Sequence, residues 1–224
     1  MLDVTVHPEL RQVLPDARFG IVCAQHVQVR AHDPALWSML QELGERLRSA
    51  YSGKAAADRS EIGATRRAYR ALGDDPTHYR PANEALLRRV LSQRAFPQIN
   101  TIVDINNYVS LESGFALGCY DTAQIVGPVV VRRAAPDEQY VPIGKPAVNA
   151  ANRLVLVDAQ GIFGSPTADS QRTMVTHSAD HVLFVVFGFE ALNDAVEQAL
   201  ERCTRLLEQF CGATIADQRV IRAQ

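Results

Sequence analysis

The sequence has no apolar run near the roughly 18 residues that a membrane-crossing helix needs. Its longest such run, Val182 to Phe189, is eight residues and includes a glycine. The N-terminal MLDVTVHPEL carries acids and a proline where a signal peptide would be basic and then apolar. These absences predict a cytoplasmic chain with no membrane partner. Cysteine is also sparse: Cys23, Cys119, Cys203 and Cys211 form no C-x-x-C pair, which argues against structural zinc. His177 and His181 stand four apart, but the HSADH between them lacks the glutamate of a zinc-protease helix, so no metal is expected. There is no G-x-G-x-x-G after a strand and no P-loop. Nucleotide hydrolysis and dinucleotide redox chemistry thus lose their usual cradle, and no cofactor is implied. Internal repeats and low-complexity linkers are missing too.

What remains is an ordinary globular composition in 224 residues, enough to bury a full core. The net charge of −2 argues against a dedicated nucleic-acid binder. The average hides an asymmetry. Between Arg46 and Arg94, eleven Arg or Lys stand against five Asp or Glu, an excess of six, which leaves the rest of the chain at −8. Solvated helix faces would account for such a block, and so would a surface for phosphates. Lysine is nearly absent, with only Lys54 and Lys145.

Periodicity predicts short strands at 2–7 and 21–29, then helices at Pro34–Tyr51, Arg59–Leu72, Pro81–Leu91 and Thr101–Leu111. Leu36, Leu40, Leu43 and Leu47 share one face of the first helix. Further strands are expected at Val129–Arg132, Tyr140–Ile143, Arg153–Val157, Thr173–Thr176 and Val182–Phe189. A closing helix, Ala191–Cys211, stops at Gly212. Helices first and strands later is an α+β pattern: a helical N-terminal half on a mostly antiparallel sheet or sandwich, closed by a C-terminal helix.

The chemistry-bearing segment is INTIVDINNYVSLESGFALGCYD, residues 99–121. Asn100, Asp104, Asn106 and Asn107 lie in an otherwise apolar helix, where such residues compete for backbone hydrogen bonds. They are expected either as caps and turn formers or as pocket-lining groups. Cys119 is a candidate thiol nucleophile, with His177 or His181 as base. Asp104, Asp158 and Asp169 are a candidate acid/base or magnesium set.

VDINNYVSLESGFALGCYD resembles the VD-x-T-N-Y-V-x-L-E-x-G segment of the tandem B3/B4 editing domain in the phenylalanyl-tRNA synthetase β chain. RAYRALGDDPTHYRPANEALLRRVL is similar to the helical lead-in of stand-alone relatives. IVGPVVVRRAAPDEQYVPIG and LVLVDAQGIFG are similar to the strands that follow. The resemblance covers roughly residues 58–190, with 1–57 read as part of the same domain and 191–224 as closing helix and tail. It implies hydrolysis of an amino acid wrongly attached to tRNA, a second sieve needed where one binding pocket cannot reject a near-isostere. A free-standing copy would act in trans.

Carried over residue by residue, the family's pocket Thr-Asn falls on Asn106 and Asn107, and its aspartate is retained as Asp121. The family's pocket histidine falls on Gly118, which implies a roomier or differently shaped pocket and leaves room for a different amino acid. Its glutamate falls near Pro166, with Asp169 as a nearby substitute. Substrate binding is therefore expected at Asn106, Asn107, Gly118, Asp121 and Asp169. Arg66, Arg67, Arg70 and Arg80 are the expected phosphate contacts. The partner is then the acceptor end of an aminoacyl-tRNA, held weakly. The alternative is a non-catalytic module that binds an amino acid or small metabolite in the same pocket.

Overall fold

In the computed structural model of the protein, residues 2–190 and 194–222 are described. Each long helix has a physical start and stop. Helix α2, Pro34–Ala50, begins where the Asp33 carboxylate accepts from the N–H groups of Ala35 and Leu36, and it buries Leu36, Leu40 and Leu43. Helix α3, Ser60–Leu72, ends at Gly73 in the left-handed conformation. Helix α4, Ala82–Leu91, follows Pro81, which sits at the cap, one position before the first helical turn. Helix α5, Thr101–Ser113, starts with the Asn100 side chain accepting from Val103 N–H, and stops at left-handed Gly114. Helix α6, Ala195–Cys211, stops at Gly212. The start expected at Ala191 lies outside the described residues. A short α1, Glu9–Val13, precedes them all.

The strands form two four-stranded sheets. The first has the order β10 (Thr214–Arg222), β2 (Arg18–Gln25), β9 (His181–Gly188), β3 (Ala116–Asp121), and every pairing is antiparallel. The second has the order β1 (Val4–Val6), β4 (Val129–Arg133), β7 (Leu154–Asp158), β8 (Gly161–Gly164), with only β1 and β4 parallel. A small ladder joins β5 (Gln139–Tyr140) to β6 (Val148–Asn149). The architecture is α+β.

Alternation along the first sheet explains its apolar strands. On β9, Val182, Phe184 and Val186 enter a core shared with the helices, while Leu183, Val185 and Phe187 enter a core shared with the second sheet. A strand buried on both faces needs apolar residues at every position, which is why this run is unbroken. On β3 the same alternation sends Leu117 and Cys119 to the helices and Ala116 and Tyr120 to the second sheet.

Three expectations need correction. Thr173–Thr176 is no strand: Gln171–Thr173 is a 3-10 turn in which the Ser170 hydroxyl accepts from Arg172 N–H, and irregular chain follows. The segment expected as a strand at Tyr140–Ile143 pairs with β6 only at Gln139–Tyr140, and beyond it Pro142 makes an isolated antiparallel bridge to Ser170. The tail carries a nine-residue strand, β10, which the sequence pattern does not predict because Asp217 and Arg219 interrupt the apolar positions Ile215 and Ile221.

Candidate functional site

A pocket of about 940 Å³ opens where α4, α5 and the chain around 165–170 meet. Local bonds hold these three together. Ala82 N–H donates to Pro166 O at 2.9 Å. The buried Asn83 amide donates to Gly114 O at 2.8 Å, tying α4 to the end of α5. The Ser165 hydroxyl accepts from the N–H groups of Thr167 and Ala168, fixing the turn that presents Thr167 to the pocket.

The wall carries uncharged polar groups, Asn106, Asn107 and Ser110 from α5 and Thr167 opposite, beside apolar residues such as Leu86 from α4 and Leu117 from β3. Asn106 Oδ1 is buried and has no hydrogen-bond partner among the described residues. An unmet buried acceptor is costly, and a ligand N–H would relieve it. The rim is cationic. Lys54, Arg80, Arg88, Arg89 and Arg94 line the pocket, with no aspartate or glutamate among its described lining residues.

Glu84 organises part of that rim from beneath. Its side chain is only 2% exposed; it bonds Arg66 at 2.7 Å and lies 3.7 Å from both Arg80 and Arg88. One buried carboxylate must be paired, and here it gathers three guanidiniums, leaving positive charge in excess. A second groove, about 620 Å³ between α5 and α6, is different. There Arg59, Arg202 and Arg205 face Glu61, Glu112 and Glu201, so its charges are matched.

Behind the wall, on the opposite face of β3, lies a closed polar cluster. Tyr120 is fully buried, with its ring edge-on to Phe163 at 5.0 Å between centroids. A Cβ built on Gly118 or Gly164 would collide with the Tyr120 hydroxyl, and one on Gly118 would also lie 2.9 Å from Asp169 Oδ1. The Tyr120 hydroxyl finds no partner at full hydrogen-bond geometry, yet it interacts with the Asp169 carboxylate. Burial pushes Asp169 up to about 7, against the pull of Tyr120 and of the Cys119 N–H. Nearby, Tyr69 and Thr167 share a hydrogen bond at 2.7 Å, and the Tyr140 hydroxyl donates to Ala168 O at 3.0 Å.

The residues singled out from sequence thus separate into groups. Asn106, Asn107 and Arg80 line the open pocket. Gly118 and Asp169 belong to the closed cluster, and the room expected beside Gly118 is taken by Tyr120. Asp121 sits at the far end of β3, accepting from Ala123 N–H at 3.0 Å. Arg66 is engaged by Glu84, Arg67 by Glu190 at 2.6 and 2.9 Å, and Arg70 is exposed on α3. Sequence reasoning passed over Lys54, Arg88, Arg89 and Arg94, although all four lie in the basic block; helical phase on α4 was the available clue for Arg88 and Arg89 only.

The other candidates resolve as follows. Cys119 is buried, and burial pushes its thiol well above its usual range. His177 lies in irregular chain and His181 opens β9, so the pair shares no helix. Burial opposes the charge of Asp158, but Arg172 and the N–H groups of Val126 and Gln160 outweigh it and hold its carboxyl low. Asp104 is fully buried on α5 with both oxygens unpartnered among the described residues, and burial pushes it up to about 6. Among the described residues no group of three His, Cys, Asp or Glu is placed to hold a metal. No described helix is long and apolar enough to cross a membrane.

Residues 64–212 match the B3/4 domain family. The phenylalanine–tRNA ligase β subunit of Aliivibrio fischeri is 35% identical over 144 residues, 53% of this chain and 18% of that protein. The β subunit from Vibrio cholerae is 30% identical over 144 residues, with the same shares. The chain therefore matches less than a fifth of these relatives' length. An N-terminal fragment of the phenylalanyl-tRNA synthetase β subunit from Pyrococcus horikoshii shares the fold. It has a TM-score of 0.51 at 15% identity, and the likeness covers 98% of this chain and 54% of the fragment.

Proposed function

The chain belongs to the B3/4 domain family, and from that premise we propose that it binds the acceptor end of an aminoacyl-tRNA in trans and hydrolyses the ester of a mischarged one. A cytoplasmic location is part of this reading. One observation carries it: the open pocket joins a cationic rim to a wall whose buried amide acceptor is unmet. Rim cations suit the terminal phosphodiesters, and the Asn106 oxygen suits the α-ammonium group of the esterified amino acid. Asn107, with both an amide donor and a carbonyl acceptor, suits the ester carbonyl or the ribose.

The chemistry asks little of the protein. An aminoacyl ester is already labile, so positioning water beside the carbonyl and stabilising the oxyanion that develops can suffice. Arg80, one of the cations lining the pocket, is proposed to stabilise that charge. The neighbouring ribose hydroxyl can assist the water, and no residue on the wall is asked to be a strong base.

The test is deacylation by this chain alone across a panel of mischarged tRNAs. Turnover on at least one, lost in Asn106→Ala with Arg80→Ala, is the expected result. No turnover on any sinks the enzyme reading. The second reading, a binding module for an amino acid or small anion, is favoured by the lack of any carboxylate, imidazole or thiol among the described lining residues. It predicts tight binding of a free amino acid by the same pocket with no hydrolysis.

A further inference from the structure

Thr167 lines the open pocket from the turn that follows β8, and its hydroxyl is bonded to a second one. Tyr69, on α3, is 3% exposed, and its phenol oxygen lies 2.7 Å from Thr167 Oγ1. Among the described residues the phenol has no other hydrogen-bond partner. Burial pushes its pKa above the ordinary tyrosine range, so the phenol keeps its proton. The two hydroxyls are not equivalent. If Thr167 donated, the phenol proton would be left buried without an acceptor, which is costly. If Tyr69 donates, the Thr167 hydrogen is free to turn into the pocket, where a ligand accepts it. The bond therefore runs from Tyr69 to Thr167.

The main chain around Thr167 is held as well. Ser165 Oγ accepts from Thr167 N–H at 3.2 Å and from Ala168 N–H at 3.1 Å, and it lies 3.1 Å from the Tyr140 hydroxyl. We infer that Tyr69 is a positioning residue: it makes Thr167 a fixed donor to the carbonyl group of the amino acid held in the open pocket. The inference rests on the proposed function for the identity of that bound group. The pocket then pairs an unmet acceptor, Asn106 Oδ1, with an oriented donor, and the ammonium and carbonyl of an α-amino acid are the matching set. In hydrolysis, water adds to the ester carbonyl, whose oxygen becomes anionic. The Thr167 hydroxyl donates to that oxygen without giving up its proton. The carbonyl re-forms as the ester C–O bond breaks, and the ribose oxygen takes the proton lost by the water. Tyr69 itself touches no substrate.

The test measures kcat and KM on the mischarged tRNA that the wild type turns over best. Thr167→Val should lower kcat about a hundredfold with KM within about twofold, and Thr167→Ser should retain most of the rate. Tyr69→Phe keeps the ring and should lower kcat about tenfold. The Tyr69→Phe/Thr167→Val double variant should be no slower than Thr167→Val, because Tyr69 acts only through that hydroxyl. Effects that multiply, or a Thr167→Val protein with wild-type kcat, overturn the inference and leave hydrolysis standing. The two Thr167 variants decide alone where Tyr69→Phe does not fold. If the chain deacylates nothing, the enzyme reading fails by itself, and calorimetric titration with the proteinogenic amino acids becomes the readout. Thr167→Val and Tyr69→Phe should then each weaken binding through the carboxylate, again without multiplying. Variants that bind as the wild type does, effects that multiply, or a wild type that binds no amino acid overturn the inference.

Discussion

The two faces of strand β3 present opposite solutions built from one stretch of chain. Toward the helices, Leu117 borders an open pocket with a cationic rim and an unmet amide oxygen. Toward the second sheet, Gly118 and Tyr120 border a filled slot with no room for another carbon. The difference comes from period-2 alternation, which sends neighbouring residues into different layers. A side chain lost on one face is therefore not a pocket gained on the other. Glycine in place of a larger residue at 118 opens nothing here, because Tyr120 has taken the space.

The largest expected effect concerns the charge beneath the open face. Glu84→Ala removes the carboxylate that Arg66, Arg80 and Arg88 share. It should destabilise the fold by about 3 kcal/mol in denaturant unfolding, because it strands guanidiniums against one another. An effect under about 0.5 kcal/mol would mean that the rim does not depend on this anchor.

Asp104 gives the next effect, and it separates the buried part of α5 from its pocket-lining part. Its folded-state pKa, about 6, lies above the ordinary 3.8, so the folded protein favours the protonated acid. Its contribution to stability is full below about pH 4 and is lost as pH rises through 6. Between pH 4 and 7.5 the wild type should lose about 2 kcal/mol relative to Asp104→Asn. Parallel pH profiles of the two proteins would contradict the burial of this carboxylate.

A direct contrast of the two faces is smaller. Gly118→Ala, on the filled face, should cost about 1–2 kcal/mol by overpacking. Asn107→Ala, on the open face, should leave stability within about 0.5 kcal/mol and act on binding alone. Equal costs would erase the distinction. Smallest of all, Arg94→Ala should weaken RNA binding by about threefold, as one phosphate contact among a few, with no change in Tm.

Much of the fold was readable from sequence where one rule acted alone. Leu36, Leu40 and Leu43 mark the buried face of α2, Asn100 and Gly114 mark the ends of α5, and Val182 to Phe187 marks a strand buried on both sides. The errors lie where local pattern and tertiary context part. Thr173–Thr176 has β-branched residues but is tied into a turn after Ser170, and β10 is a real strand whose outward residues look like surface loop. At the site, the asparagines of α5 read equally as caps or pocket residues; Asn100 is the cap, and Asn106 and Asn107 line the pocket. Tyr120 could not be read at all. Its role depends on Gly164 and Asp169, more than forty residues away, and on two sheets meeting.

The central claim is that the open face of β3 meets RNA. It is tested most directly by titrating an acceptor-stem minihelix carrying a non-hydrolysable aminoacyl end, against the wild type and a triple Arg88→Glu, Arg89→Glu, Arg94→Glu variant. With about three phosphates neutralised, wild-type affinity should fall about fifteenfold between about 50 and 200 mM salt, and the variant should lose both the affinity and the salt dependence. A variant that binds as the wild type does, with the same salt slope, would contradict the account.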